Sequence, residues 1–196
     1  MKISDVLSLD AIELDVTLNS QEEAIERLVA LQHAAGNIDD VDAFKQAVID
    51  REAKATTAVG GGLAVPHAQC SAVVKPGLSV VTVPKGVEYH APDQQPVKLF
   101  FMIAAQDYGP LHFELLARLV TLLIDANIVN SLLEAKSKEE FIDIIIQSDK
   151  KKFPGETYVY EPFDEEELKA ITQERKGIVH RTFKAFRKRM ANMRKK

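Results

Sequence analysis

The chain has 196 residues, 46% of them hydrophobic, which suffices for one well-cored α/β domain and not for two of full size. Its single cysteine, Cys70, excludes an internal disulfide framework and a Cys-rich zinc site. The net charge of −4 conceals an acidic body with a basic end: residues 1–149 carry 11 Lys and Arg against 22 Asp and Glu, and residues 150–196 carry 14 against 7.

The first fifteen residues lack a basic segment followed by an apolar run, and no stretch approaches the roughly 18 apolar residues of a membrane span. The expectation is a soluble cytoplasmic protein, with a peripheral position on the inner face of the membrane as an option. Residues 12–18 alternate apolar and polar side chains and predict a strand. Ser20 followed by Gln21, Glu22 and Glu23 predicts a capped helix start, and Gly36 its C-terminal stop. A second helix begins near Asp39 or Asp40, with Val41, Phe44, Val48 and Ile49 on one face, and runs toward Arg51. Gly60, Gly61 and Gly62 end any regular element, and residues 63–66 form a short apolar strand. A strand over 78–83 is closed by Pro84, and the near-continuous apolar run 97–104 reads as a strand buried on both faces. Leu111, Leu115, Leu116, Leu119, Leu122 and Leu123 have core-facing helical spacing, and residues 128–135 and 138–147 predict two more helices, the last capped by Ser137. Helices interleaved with buried strands point to α/β: one domain over 1–149, a mixed central sheet with helices on both sides.

Residues 150–163 read as a linker and 164–196 as a basic helical tail. Asp164 and the three Glu that follow suit the positive end of a helix dipole. Val179, Phe183, Phe186, Met190 and Met193 recur at coiled-coil spacing. Such a tail could dock on the acidic domain, self-associate, lie on an anionic membrane or contact nucleic acid, the last unsupported by any recognition motif.

The chemistry concentrates around Gly60–Gly61–Gly62–Leu63–Ala64–Val65–Pro66–His67–Ala68. Glycines leave backbone N–H groups uncovered, and successive N–H groups can cradle an anion. Pro66 stiffens the chain before His67, whose ring can be pinned through one nitrogen while the other attacks. The plain alternative is a tight turn with an incidental surface histidine. Arg51, at a helix end, could meet an oxyanion with its planar fork, and His112, near the start of a long apolar helix, could steady one.

The string from Glu52 to Ala68 resembles the signature around the phosphorylated histidine of fructose/mannitol-type IIA domains of the bacterial sugar phosphotransferase system. The resemblance continues through Gly86–Ala105 and Leu111–Leu119 and covers about residues 1–149, nearer the fructose branch, although Gln69 stands where many of that branch have Lys. It implies that His67 accepts a phosphoryl group from phospho-HPr through Nε2 and hands it to a IIB domain beside a membrane-bound IIC. Arg51 would neutralise the phosphoryl group and His112 would help to hold it, with Gly61 and Gly62 as further phosphoryl-binding positions. No metal and no cofactor beyond the phosphoryl group are implied. The family also includes nitrogen-type regulatory IIA proteins, which leaves regulation of partner proteins as the alternative to sugar uptake.

Overall fold

The structure is a computed structural model that describes residues 2–106 and 110–154, with the backbone alone for 110–113. Local chemistry sets the helix boundaries. Helix α1 (Gln21–Ala34) starts where the Ser20 hydroxyl accepts the Glu23 N–H and ends before Gly36, whose φ of 67° only glycine adopts without strain. Helix α2 (Val41–Glu52) starts where the Asp40 carboxylate accepts the Ala43 N–H at 2.9 Å. Such side-chain caps contribute about 1 kcal/mol each.

The sheet has six strands among the described residues: β1 (Ile12–Glu13), β2 (Ala58–Gly60), β3 (Leu63–Ala64), β4 (His67–Gln69), β5 (Gly77–Val87) and β6 (Val97–Ala105). Their order is β1–β5–β6–β3–β2, with β4 also paired to β6. Pairing is antiparallel for β5 with β6 and for β2 with β3, and parallel for β1 with β5 and for β3 and β4 with β6. The sheet is therefore mixed. Three expectations about strands need correction. The strand expected over 63–66 stops at Ala64, beyond which Val65 turns its N–H to the Thr57 carbonyl. The strand expected over 12–18 stops at Glu13, because Asp15 turns to a φ of 55° and its N–H donates to the Thr82 hydroxyl instead of a ladder. Pro84 does not close β5. The ladder to β6 shifts register between Thr82 and Val87, so the missing proline N–H falls at an irregularity where no ladder bond is lost.

Alternation along β6 divides the core. Phe100, Met102 and Ala104 pack with Val81 and Val83 of β5 and with Leu28, Phe44 and Val48 of α1 and α2. Phe101 points the other way and meets Phe141 with ring centroids 6.1 Å apart. Helices thus cover both faces, as the unbroken apolar run from Leu99 to Ala105 requires. On the second face lie α3 (Pro110–Leu123), α4 (Ala126–Glu134) and α5 (Lys138–Lys152), the last capped by Ser137 as the sequence predicts.

Helix α5 outruns its apolar pattern by five residues. Asp149 is buried and receives both the Nε–H and an Nη–H of Arg118 from α3, while the Arg118 guanidinium sits 4.2 Å above the Phe153 ring. Three lysines close α5, where cations suit the negative end of the helix dipole. Among the described residues no single helix is long and apolar enough to cross a membrane. The basic tail expected over 164–196 and its heptad seam lie outside the described residues.

Candidate functional site

The site is built on an interrupted strand. β3 and β4 lie end to end along one edge of β6 and keep one register, with Leu63 opposite Leu99, Ala64 opposite Phe100 and His67 opposite Ile103. Between them Val65 and Pro66 step out of line. Pro66 has no N–H to offer, but its carbonyl accepts the Ile103 N–H at 2.9 Å. Val65 turns its N–H to the Thr57 carbonyl at 3.1 Å. The Val65 carbonyl then lies 2.9 Å from Nδ1 of His67.

A carbonyl can only accept, so Nδ1 carries the ring proton and Nε2 carries a lone pair. Nε2 receives the Nε–H of Arg51 at 3.2 Å. Arg51 comes from the last turn of α2, which packs against β4, and its Nη1 donates to the Ala55 carbonyl at 3.0 Å. Two residues 16 positions apart are thereby brought together. Both are half-buried. A neutral imidazole with an in-plane lone pair is a nucleophile, and a guanidinium beside it can balance an incoming anion.

Beneath this pair lies a buried carboxylate. Glu52 accepts the Thr57 N–H at 2.6 Å and the Thr57 hydroxyl at 2.7 Å. Burial pushes its carboxyl above the ordinary range, against the pull of the two Thr57 bonds and of Arg51.

Gly61 and Gly62 are not at the imidazole, contrary to the sequence expectation. The Gly62 carbonyl accepts the N–H groups of Lys98 and Leu99, whereas His67 pairs with Ile103, so the chain runs extended between them. Five residues of β6 separate the two places by roughly 16 Å. The three glycines do adopt positive φ, at 84°, 62° and 75°, and present an N–H to an anion. That anion is the protein's own: the Gly61 N–H donates to the Asp93 carboxylate at 2.7 Å, which holds the Asp93 carboxyl below its ordinary value. His112 falls in the first turn of α3, and its side chain lies outside the described residues. His33 and His90 are exposed. Among the described residues no group of three His, Cys, Asp or Glu side chains is placed to hold a metal ion.

Sequence reasoning missed the main-chain carbonyls of Ala55, Thr57 and Val65, which carry no residue signature. It also passed over Glu52, which does have one: Phe44, Val48 and Glu52 recur every four residues along the buried face of α2.

Residues 5–148 match the family described as "Phosphoenolpyruvate-dependent sugar phosphotransferase system, EIIA 2". The fructose-specific EIIABC component of Bacillus subtilis is 39% identical over 151 residues, which is 76% of this chain but 24% of that protein. The chain therefore spans about a quarter of that relative's length. The fructose-specific EIIA component of Haloferax volcanii is 37% identical over 146 residues, covering 74% of this chain and 95% of its own. Among solved structures, the nitrogen regulatory protein IIA-Ntr of Neisseria meningitidis superposes with a TM-score of 0.68 at 26% identity, over 73% of this chain and 98% of that one.

Proposed function

The chain belongs to the EIIA 2 family of the phosphoenolpyruvate-dependent sugar phosphotransferase system, and from that premise we propose that it is a phosphocarrier working through a phosphohistidine at His67. One observation carries the reading. The ring is held as the Nδ1–H tautomer by the Val65 carbonyl, with the Nε2 lone pair facing the Arg51 guanidinium. The donor is phospho-HPr and the acceptor a IIB domain, the component that the name of the Bacillus subtilis relative also carries.

In the transfer, the Nε2 lone pair attacks phosphorus, a new N–P bond forms, and the donor's N–P bond breaks with its electron pair returning to the donor imidazole. Little covalent chemistry is left for the protein beyond alignment and charge balance. The Nε–H of Arg51 occupies the attacking lone pair in the resting state, so the guanidinium must move from Nε2 onto the phosphoryl oxygens as the group arrives. The Ala55 carbonyl, bonded to Nη1, is a natural pivot for that movement. His112, at the start of α3, supplies a second stabilising group. No metal or further cofactor is required. The carrier, expected over residues 1–149, extends through the end of α5 to Phe153 and works in the cytoplasm, with linker and tail beyond it. Fructose or a related sugar is the cargo of the system, in keeping with the names of the two relatives.

Mass measurement after incubation with phosphoenolpyruvate, the first enzyme of the system and HPr tests the proposal. Wild type gains one acid-labile, base-stable phosphate and His67→Ala gains none. Label that persists in the variant sends the site elsewhere. The likeness to IIA-Ntr favours a second reading, in which the phosphorylation state governs binding to other proteins. Failure of the labelled chain to pass its phosphoryl group to any IIB domain encoded beside it would favour that reading.

A further inference from the structure

Glu52 stands where two rules disfavour a carboxylate. It lies on the face of α2 that buries Phe44 and Val48, and it is only 9% exposed. It is also the last residue of the helix, at the negative end of the dipole. A well-packed apolar side chain serves stability as well at such a position, and departures from local rules gather at functional sites. The carboxylate takes two donors from one residue, Thr57, and so closes the link between α2 and β2.

Both nitrogens of the His67 ring are tied to that link. Nδ1 is fixed by the Val65 carbonyl, and the Val65 N–H in turn donates to the Thr57 carbonyl. Nε2 is fixed by Arg51, the neighbour of Glu52, whose Nη1 donates to the Ala55 carbonyl. The link thus supports the proton-bearing side of the ring through Thr57 and the attacking side through Ala55.

We propose that Glu52 and Thr57 are positioning residues that form a clamp, holding the Ala55 and Thr57 carbonyls so that Arg51 meets Nε2 while Nδ1 stays on Val65. The clamp touches no substrate and acts through Arg51 and Val65. This deepens the reading of His67 as the accepting group and rests on it.

The test uses the full chain with Glu52→Leu, Thr57→Val and Thr57→Ser. Glu52→Leu removes both acceptors and leaves the Thr57 N–H and hydroxyl without the clamp, and Thr57→Val removes the hydroxyl at nearly constant shape. Glu52→Gln is the control that keeps the clamp, because its amide oxygen accepts the Thr57 N–H while its NH2 donates to the Thr57 hydroxyl. Two readouts apply: the 15N shifts of the His67 ring in the unphosphorylated chain, and kcat and KM for phosphoryl uptake from phospho-HPr. For Glu52→Leu and Thr57→Val, kcat falls about tenfold with KM unchanged, and the ring shifts leave the Nδ1–H tautomer for a tautomeric average. Thr57→Ser keeps both donors and keeps the wild-type shifts and kcat. If Glu52→Leu does not fold, Thr57→Val carries the same two readouts. A lowered melting temperature with wild-type shifts and kcat in both variants overturns the clamp and leaves the carrier reading intact. Altered shifts in the variants, with no uptake by any chain including wild type, uphold the clamp and sink the carrier reading.

Discussion

Replacing Asp149 by Asn isolates the buried ion pair that fastens α5 to α3. The Arg118 and Asp149 side chains are 7% and 6% exposed, and the carboxylate is the guanidinium's acceptor on both of its bonded edges. Asp149→Asn keeps the shape and one acceptor oxygen but turns an amide NH2 toward an N–H donor and leaves the Arg118 charge buried without its counterion. Breaking such a pair from one side costs about 3–5 kcal/mol. The oxygen that Asn retains and the Phe153 ring still stacked on the guanidinium put the expectation at the low end, about 3 kcal/mol. For a domain of this size that lowers the melting temperature by roughly 6–12 °C. The double variant Arg118→Met/Asp149→Leu removes both charges along with their desolvation cost, and is expected within about 1 kcal/mol of wild type. Urea unfolding followed by circular dichroism at 222 nm measures both. An Asp149→Asn chain within about 0.5 kcal/mol of wild type, or a double variant as unstable as the single one, refutes the reasoning.

Arg51→Lys keeps a positive charge, but one ammonium group cannot hold both the Ala55 carbonyl and Nε2 in a fixed fork, so initial phosphoryl uptake should fall about a hundredfold; a rate within a factor of about three of wild type would count against the fork. Stability should also report Glu52. Burial raises its carboxyl above the ordinary value, so in the window just above that value the folded chain binds more protons than the unfolded one. The contribution of this group is therefore complete below the ordinary value and declines as pH rises through the raised one. Glu52→Gln, which has no proton to lose, should show a flatter profile of urea midpoint against pH across that window, and identical slopes would rule Glu52 out as the cause. Asp93→Ala frees the Gly61 N–H to water but lies roughly 16 Å along the sheet from His67, so labelling of His67 should proceed at the wild-type rate; a marked loss would bring the glycine turn back into the site.

What could be read from the sequence was mostly what is settled within a few residues. Ser20, Asp40 and Ser137 announce helix starts because a cap bonds an N–H two or three positions away. The apolar run of β6 from Leu99 to Ala105 announces burial on both faces because side chains pointing both ways from it must be covered. What escaped depends on partners distant in the chain. Asp15 ends β1 early through a bond to Thr82, and Pro84 survives inside β5 only because the partner strand slips there. The extra length of α5 is owed to Arg118, 31 residues upstream of Asp149. At the site, the chemistry of an arginine and a histidine was visible, but their 3.2 Å approach was not. The glycine triplet illustrates the reverse. Its capacity to hold an anion was legible, and the identity of that anion was not, because Asp93 is 32 residues away.

The break between β3 and β4 has a consequence for how this site can tolerate change. Peptide oxygens at positions 55, 57 and 65 contribute to the tautomer of the ring and to the anchorage of the cation beside it. Peptide oxygens are present whatever residue occupies the position. A change of side chain at the exposed position 55 can therefore leave the approach of Arg51 to the His67 ring as it is.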